Sequence, residues 1–598
     1  MDKLGWDKLD IILVTGDAYI DSSFIGVAII GKVLANVRRG ESASGMTGYK
    51  VGIIGQPDIL SDKDITRLGE PELFWGITGG AIDSMVANRT ALQKPKRKDD
   101  FTPGGINNKR PERATIIYSN LIRKYFKNTR PLVLGGLEAS MRRIAHYDYW
   151  DNDVRRSILF DAKADVLVYG MAEKSTLALA DRLKANQDYT DVRGICYISK
   201  ETKKDYFVLP SYEEVKGDKT KFIEMFNAFY ENNDPITSRG LCQKQDTRYL
   251  IQNPPSENMT TAELDQIYDL DYERDVHPYY GGISRSPTSI PSEWGGGISR
   301  SPEHIPSARD KQQGEVKALA TIRFSITSHR GCYGECNFCS ITVHQGRTVV
   351  SRSAQLILKE AEIISKLPDF KGYILDVGGP TANMYGIECA KKLESGACAK
   401  KRCIYPEHCA QLPINHHSQI KLLSRLRQIP GIKKVFIGSG IRYDMLLADQ
   451  KYGKEYLKEL IEHHISGQLK IAPEHTENSV LKMMKKINNE HLVHFRSEFN
   501  RINQEAGKKQ FLTYYLIAAH PGCTFKDMLK LRDFTRKELK IEPEQVQIFT
   551  PLPSTYSALM YYTEMNPFTG EKIFVEKDLI NKQKQKDLIV PDSSRKRT

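Results

Sequence analysis

Three cysteines with short, unequal spacing are the residues of this chain best suited to chemistry. Cys332, Cys336 and Cys339 form a C-x3-C-x2-C pattern, and seven of the ten cysteines fall between residues 332 and 409. Three thiolates on one short loop can occupy three corners of a cubane iron–sulfur cluster and leave one iron open. Structural zinc prefers a closed set of four ligands. The spacing favours an open, catalytic cluster; the alternatives are a zinc knuckle and a chance grouping.

A second group of cysteines follows the first. It comprises Cys389, Cys398, Cys403 and Cys409. Four thiols within 21 residues can hold an auxiliary iron–sulfur cluster or a zinc ion. The intervening lengths of eight, four and five residues match no standard zinc pattern. Free cysteines on a lid over the barrel predicted below are therefore the alternative.

Alternating apolar and amphipathic stretches surround the first cysteine group. The apolar runs after residue 317 are 319–326, 373–377, 434–438, 469–472, 511–519 and 545–549. Six such units predict a partial (β/α)6 barrel, in which chemistry takes place in the loops after the strands. The cysteine loop directly follows the first run. It is therefore expected in an active-site loop.

The first third of the chain predicts a separate doubly wound, mostly parallel sheet. Its apolar runs are 11–14, 51–55, 73–77, 131–134 and 164–170, most of them followed by glycine, with helical stretches between several of them. Ligands of such sheets bind beyond the carboxyl ends of the strands. The candidates at that edge are Gly16, Asp17, Gly79, Gly80, Gly135, Gly136 and Glu138. The alternative is that the glycines only permit tight turns.

These patterns divide the 598 residues into four parts. Residues 1–235 are expected to form an α/β, Rossmann-like domain, and 317–565 the barrel. The linker 236–316 contains the sequence GGISRSP twice, fifteen residues apart, as an inserted Gly/Ser/Pro repeat. Residues 566–598 are basic and expected to be disordered.

Composition excludes several classes of protein. Hydrophobic residues at 40% and charged residues at 27% are typical of a globular chain. No run of 18 apolar residues predicts a membrane span, and the amino terminus does not resemble a signal peptide. We therefore expect a cytoplasmic protein. The net charge of +13 permits a nucleic-acid partner, although part of the excess lies in the basic tail.

The cysteine loop resembles the signature of the radical S-adenosylmethionine (SAM) superfamily. Segments 10–17, 79–85, 134–143, 168–172 and 322–340 together resemble the YgiQ-type radical SAM proteins, over residues 8–565. The resemblance implies a 4Fe-4S cluster on Cys332, Cys336 and Cys339, with SAM bound to the fourth iron. It also implies reductive cleavage of SAM to methionine and a 5′-deoxyadenosyl radical, which abstracts hydrogen from an unknown substrate.

The superfamily pattern also suggests where SAM is held. A Gly-Gly-Glu-like element corresponds to Gly378, Gly379, Pro380 and Thr381, with Pro380 in the position of the glutamate. Backbone carbonyls, with Thr381, would then contact the SAM amino group. Ser439 and Arg442 are expected to meet the SAM carboxylate or ribose, and Phe338 to lie beside the adenine.

Three further residues end later barrel strands. Glu474, His475 and His520 are candidates for substrate contact or proton transfer. A single histidine at a strand end is often simply packed and hydrogen-bonded, which is the alternative for each.

The first domain resembles the cobalamin-binding domain of other radical SAM enzymes. The usual D-x-H-x-x-G loop is nevertheless absent, because residues 21–26 read DSSFIG. Without that histidine, we expect no His-ligated cobalamin.

Two other functions remain open at this stage. An RNA-modifying radical SAM enzyme is one, although no compact all-β RNA-binding module follows the barrel. A non-catalytic iron–sulfur or zinc protein is the other. For a radical enzyme the expected partners are the unknown substrate and a reductant such as flavodoxin or ferredoxin. A membrane is not expected.

Overall fold

The fold is taken from a computed structural model that describes residues 4–36, 48–280, 314–399, 401–543 and 546–590. The duplicated sequence within 281–302 lies outside the described residues. The strands are β1 (Ile11–Thr15), β2 (Ile20–Asp21), β3 (Val51–Gly55), β4 (Phe74–Thr78), β5 (Leu132–Gly135), β6 (His146–Asp148), β7 (Asp153–Arg155), β8 (Val166–Val168), β9 (Ile195–Ser199), β10 (Phe207–Leu209), β11 (Leu241–Gln245), β12 (Arg248–Gln252), β13 (Asp275–Val276), β14 (Ser325–Thr327), β15 (His329–Arg330), β16 (Val350–Ser351), β17 (Tyr373–Ile374), β18 (Asp376–Gly378), β19 (Lys434–Val435), β20 (Gln468–Glu474), β21 (Phe511–Ala518) and β22 (Val546–Ile548).

Helices connect most of these strands. They are α1 (Gly26–Ala35), α2 (Ser84–Asn88), α3 (Ala114–Tyr125), α4 (Gly136–Met141), α5 (Ile158–Asp161), α6 (Glu173–Lys184), α7 (Tyr212–Gly217), α8 (Lys219–Glu231), α9 (Thr261–Tyr268), α10 (Ala318–Ile322), α11 (Ile341–His344), α12 (Ala354–Ser365), α13 (Ala390–Ser395), α14 (His417–Arg427), α15 (Tyr443–Ala448), α16 (Gly453–Glu459), α17 (Asn478–Met484), α18 (Glu490–Glu505), α19 (Phe525–Phe534), α20 (Tyr556–Thr563) and α21 (Leu579–Asp587). No helix of the described ranges is both long and apolar enough to cross a membrane.

A nine-stranded sheet forms the first domain, with strand order β10-β11-β12-β9-β8-β5-β4-β1-β3. Strands β3, β1, β4, β5 and β8 run parallel. Along β1, Ile12 and Val14 belong to one hydrophobic cluster and Ile11 and Leu13 to another. Both faces are thus buried, which explains the continuous apolar run. The predicted doubly wound sheet is confirmed.

The sheet continues beyond residue 235, where we had placed its end. β11 and β12 form an antiparallel hairpin, and β12 pairs with β9. Three consecutive polar residues, Gln243, Lys244 and Gln245, end β11, so the hairpin lacks the apolar run that reveals the other strands. The domain therefore extends to Gln252.

Six strand segments follow in sequential parallel order and form the predicted partial barrel. β14 pairs with β18, β17 with β19, and Ile441 bridges to Ile471. β20, β21 and β22 complete the series. A hydrophobic cluster fills the space between these strands and helices such as α12, α14 and α18. The carboxyl ends of the strands therefore lie at one end of the barrel.

The segment predicted to be a disordered tail contains the last barrel helix. α21 lies against β21 and β22, and Ile589 shares a core cluster with Leu516 and Val546. The sequence of α21 is rich in lysine and glutamine, which made it look solvated. The prediction was wrong for residues 579–590; residues 591–598 lie outside the described part of the chain.

One lysine of α21 is buried between two tyrosines of different domains. The Nζ of Lys582 donates to the hydroxyl of Tyr561 at 2.8 Å and to that of Tyr149 at 3.2 Å. It also lies 4.6 and 4.9 Å from their ring centroids. Burial lowers the pKa of Lys582 to about 8. The charged form is therefore less favourable here than in water.

This burial predicts a pH-dependent stability. The pKa of an unfolded lysine is about 10.4, so between pH 8 and that value the unfolded chain holds a proton that folded Lys582 has lost. Relative to Lys582→Met, the wild-type free energy of unfolding should rise by about 3 kcal/mol over that interval. Denaturant unfolding at pH 7.5 and 10 measures the difference. Lys584→Met, at an exposed position of the same helix, should show no such rise; a flat difference for Lys582→Met would contradict the prediction.

Candidate active site

The cysteine loop begins at the end of the first barrel strand. β14 ends at Thr327, and β15 leads through Gly331 into Cys332. β15 pairs with β16, which holds the entry to the loop. Gly331 has a φ of 84°, and a Cβ there would lie 2.0 Å from the carbonyl oxygen of Thr348. Only glycine fits this turn, so the backbone fixes the position of the first cysteine.

All three cysteines are partly exposed, and two of their sulfurs lie close to Gly334. A Cβ on Gly334 would be 3.3 Å from the Sγ of Cys332 and 3.5 Å from the Sγ of Cys336. The Gly334 N–H donates to the Cys332 Sγ at 3.3 Å. The Cys339 N–H donates to the carbonyl of Cys336 at 3.0 Å. The turn thus directs the first two sulfurs to one side, where a larger residue at 334 would crowd them.

The donor set fits an iron–sulfur cluster better than a single metal ion. Among the described residues, no three His, Cys, Asp or Glu side chains are grouped to hold one ion. The thiolates of a cubane bind different irons, so their sulfurs do not have to meet at one point. Burial raises the pKa of Cys332 and of Cys339. Both thiols are therefore protonated at neutral pH, and iron binding would release their protons.

Arg442, which we expected to meet the SAM carboxylate or ribose, places a cation beside the second cysteine. Its Nη1 lies 3.7 Å from the Sγ of Cys336, while its Nε and Nη2 donate to Asp444 at 2.7 and 2.5 Å. Burial acts to raise the pKa of Asp444, but the guanidinium outweighs it and holds that pKa well below its usual range. The charged pair keeps one N–H group of Arg442 directed at Cys336.

Asn383 holds the backbone of Arg442 from both sides. Its Oδ1 accepts the Arg442 N–H at 2.7 Å, and its Nδ2 donates to the Arg442 carbonyl at 2.9 Å. The same Nδ2 lies 3.2 Å from the Nε2 of His416, whose Nδ1 lies 2.8 Å from Asp449. Sequence reasoning missed this chain because its members are far apart in sequence and carry no motif.

Glu335, between the first two cysteines, was also missed by sequence reasoning. It has a φ of 44° and is buried. Its carboxylate accepts from the Tyr230 hydroxyl at 3.3 Å and lies 3.6 Å from both Arg347 and Lys392. Tyr230 belongs to α8 of the first domain. The cysteine loop is thus held by charges from the barrel and by a side chain of the first domain.

The segment Gly378–Thr381 borders the first cysteine. It follows β18, the neighbour of β14. The Thr381 Oγ1 lies 3.7 Å from the Cys332 Sγ. A Cβ on Gly379 would fall 2.6 Å from the Nε2 of His329, so this position cannot carry a side chain without displacing the imidazole. The structure therefore brings this predicted SAM-binding segment next to the cysteine loop.

Two other predicted SAM contacts have partners inside the protein. The hydroxyl and the N–H of Ser439 both donate to Asp376, the N–H at 3.0 Å. This contact joins the ends of two barrel strands. The Phe338 ring packs against two core clusters and lies edge-on to His520, with 6.3 Å between ring centroids. Neither side chain is free to turn toward a ligand without losing these contacts.

Glu474 lies near the site and has an unusual backbone. It has a φ of 69° beside a register shift between β20 and β21. Burial raises the pKa of Glu474 to about 7, against the opposing effects of Lys486 and Arg442. The negative charge of Glu474 contributes to the raised pKa of Cys339. A carboxyl group that exchanges a proton near neutral pH is suited to acid–base work.

The two predicted catalytic histidines are internal instead. The Nδ1 of His475 accepts the Glu477 N–H at 3.0 Å, and its Nε2 lies 3.6 Å from the Cys523 Sγ. In His520, Nδ1 donates to the Pro521 carbonyl at 2.8 Å and Nε2 lies 2.7 Å from the Ser557 hydroxyl. Burial lowers the pKa of His475 to about 4 and that of His520 to about 3. Both rings are neutral and packed, which corrects our expectation.

The second cysteine group is not arranged around one space. Cys389 and Cys403 are buried in an apolar cluster that includes Tyr333, and Cys409 lies at its edge. Burial raises the pKa of Cys403 to about 11. Cys398 is partly exposed and outside this cluster. Within the described ranges these four residues do not form the grouping that a single ion requires.

The edge of the first sheet is filled by the chain itself. Arg110 lies 2.7 Å from Asp17 and 3.0 Å from Asp99, with all three side chains buried. It also donates to the Gly79 carbonyl at 3.1 Å. Burial raises the pKa of Asp17 to about 6 although Arg110 opposes this. A buried ion cluster thus occupies the carboxyl ends of β1 and β4.

The remaining candidates at this edge of the sheet also contact other parts of the protein. The Glu138 carboxylate accepts the N–H groups of Ser84 and Thr115 at 2.9 and 3.2 Å. Gly16 passes so close to Gly79 that a Cβ would lie 2.3 Å from the Gly79 carbonyl oxygen. These glycines therefore permit close packing of loops. The carboxylates at this end of β1 and β4 thus pair within the protein, and residues 21–26 supply no histidine for the cobalt of a cobalamin.

Comparison with known proteins agrees with this fold. A family model described as "Radical SAM N-terminal" matches residues 1–291. The radical SAM methyltransferase TsrM from Kitasatospora setae, solved with cobalamin and a [4Fe-4S] cluster, is similar with a TM-score of 0.50 and 11% identity. The alignment covers 93% of this chain and 74% of TsrM. At that identity the likeness concerns the fold alone. The first 291 residues are thus similar to the amino-terminal region of radical SAM proteins.

Its relatives define the family more narrowly. The UPF0313 protein FN0734 of Fusobacterium nucleatum is 55% identical over 98% of this chain and 97% of its own length. A UPF0313 protein of Thermotoga maritima is 44% identical over 99% of this chain and 97% of its own length. The chain therefore belongs to the UPF0313 family, the YgiQ family of the sequence resemblance.

Proposed function

We propose that this protein is a radical SAM enzyme acting on a substrate that is still unknown. The observation that carries the proposal is the C-x3-C-x2-C loop at the carboxyl end of the first barrel strand, with Arg442 directed at Cys336. Cys332, Cys336 and Cys339 would hold a 4Fe-4S cluster. When bound and reduced, the cluster supplies the electron that cleaves SAM to methionine and a 5′-deoxyadenosyl radical.

The chain's own residues prepare this chemistry. Gly379 lets the backbone after β18 pack directly against His329, which fixes the segment that borders Cys332. Arg442 places positive charge where the thiolates and their cluster carry negative charge. Glu474 holds a proton that can be given or taken near neutral pH.

Release of 5′-deoxyadenosine tests the proposal. The protein is reconstituted anaerobically with iron and sulfide, reduced with dithionite and incubated with SAM. We expect 5′-deoxyadenosine, or at least a change in the cluster EPR spectrum when SAM is added. A fully loaded protein that gives neither would instead be a non-catalytic iron–sulfur protein. For an RNA-modifying enzyme we find no favouring observation, because the described residues after 553 form helices beside the barrel and the first domain.

We also predict that no His-ligated cobalamin binds. Residues 21–26 contain no histidine, and the Asp17–Arg110–Asp99 ion cluster fills the adjoining edge of the sheet. After incubation with hydroxocobalamin, gel filtration and reduction to Co(II), any corrinoid that the protein retains should show no histidine-ligated EPR signature. A corrinoid that co-elutes with a histidine-ligated EPR signature of Co(II) would overturn the prediction.

A further inference from the structure

Three basic side chains from two distant segments form one surface beside the cysteine loop. This basic face consists of Arg402, Lys482 and Lys485. Lys482 is exposed, and the other two are partly buried. Burial, then Arg402 and Lys482, lower the pKa of Lys485 to about 8. In the described part of the chain, none of the three forms an ion pair with a carboxylate, so the positive charge is unbalanced.

The basic face lies directly on the cysteine loop. Arg402 donates to the carbonyl of Glu335 and, at 3.0 Å, to the Oδ1 of Asn337. Asn337 also donates from its side chain to the Met483 carbonyl at 2.7 Å and from its backbone to that of Met484 at 3.0 Å. Asn337 stands between Cys336 and Cys339. The segments that carry Arg402 and Lys482 therefore both contact Asn337, the residue that directly follows Cys336.

An exposed aromatic ring lies within the basic face. Phe568 is 45% exposed. The Lys485 Nζ lies 4.2 Å from the Phe568 ring centroid and 5.0 Å from that of Tyr405. An apolar centre bordered by unpaired charge is characteristic of a protein-docking surface. Because Lys485 covers faces of both rings, they are poorly placed to stack on nucleic-acid bases.

We propose that the basic face docks an acidic protein that carries single electrons to the cluster. The inference rests on the proposed function, since each reductive cleavage of SAM consumes one electron from outside. In the docked step the carrier loses one electron and the cluster gains it; no bond or proton moves. Opposite charges accelerate and orient such encounters. The short path through residue 337 places the donor close to the thiolates.

Reduced flavodoxin is the probe for this proposal. In the reconstituted protein, Lys482→Glu/Lys485→Glu should lower flavodoxin-driven 5′-deoxyadenosine release at low salt at least about tenfold. Dithionite-driven release should be unchanged. Added salt should slow wild type but scarcely affect the variant. Surface plasmon resonance of oxidised flavodoxin on the reconstituted protein measures docking without SAM and should show the same loss.

The matched control is Lys508→Glu/Lys509→Glu, an equal charge change at exposed residues before β21, at the opposite end of the barrel. It should leave flavodoxin binding and flavodoxin-driven release unchanged. Lys482→Glu alone changes only an exposed position, so it tests the docking even if the double variant misfolds. Unchanged flavodoxin binding in both basic-face variants would overturn the proposal. RNA that co-purifies with the wild-type protein but not with the basic-face variants would also overturn the proposal. Failure of dithionite to release product in wild type would count against the proposed function, whereas the binding measurement still decides the docking.

Discussion

Cys336→Ala should abolish reductive SAM cleavage while leaving the fold intact. Cys336 is partly exposed on the loop, and its Sγ faces Gly334 and Arg442. Loss of residues that merely orient metal ligands costs about 10- to 100-fold in affinity or activity. Loss of a ligand should therefore lower 5′-deoxyadenosine release at least about 100-fold. Iron and sulfide per chain and the EPR signal should fall with it.

The control for this experiment comes from the second cysteine group. Cys398→Ala removes a partly exposed thiol from outside the cysteine loop and its neighbouring core. It should keep full iron content and SAM cleavage. Cys336→Ala should unfold at nearly the denaturant concentration of apo wild type, because exposed loop positions contribute little to stability. Undiminished iron and product in Cys336→Ala would refute the assigned ligands.

Arg442→Met should destabilise the barrel strongly, even in the iron-free protein. The substitution leaves the Asp444 carboxylate buried without its guanidinium. Removing one partner of a buried ion pair costs about 3–5 kcal/mol. Denaturant unfolding of the apo protein measures the change. Because the pKa of Asp444 should then rise, the loss should diminish in acid, where the carboxyl group protonates.

Two further variants separate charge from packing. Arg501→Met removes an exposed arginine that pairs with Glu498 and Glu505, and should leave stability nearly unchanged because exposed ion pairs contribute little. Arg442→Met/Asp444→Leu removes both partners and should regain much of the lost stability. Its cluster EPR spectrum should still differ from wild type, because Cys336 lacks its N–H donor. Equal stability of Arg442→Met and wild type would show that the ion pair is not buried in solution.

The parts that the sequence predicted correctly are those that local patterns determine. β1 is a continuous apolar run because both its faces are buried, and the cysteine loop follows a strand at a spacing that only a few structures share. β11 and α21 were misjudged because packing against residues distant in sequence buries polar side chains such as Gln243 and Lys582. Likewise, nothing near His520 in the sequence reveals that Ser557 occupies its Nε2.

In the candidate site, too, local patterns were recognisable in the sequence and long-range contacts were not. Cys332 and its partners are recognisable by spacing, and Gly379 by its place after a strand. The contacts of Asn383 with Arg442, and of Tyr230 with Glu335, join residues 59 and 105 positions apart. Such contacts depend on how complete elements pack, so single-sequence reasoning has no pattern by which to find them.

The contact between Tyr149 and Lys582 has a consequence for how the protein is made. The two residues are 433 positions apart, and a ribosome adds about 5–20 residues per second. The first domain is therefore synthesised roughly 20–90 s before its lysine partner appears. During that time Tyr149 lacks part of its covering and the barrel lacks its last helix. Until residue 582 has been synthesised, the first domain and the barrel lack this contact, and a chain truncated before that residue should be more susceptible to proteolysis around Tyr149.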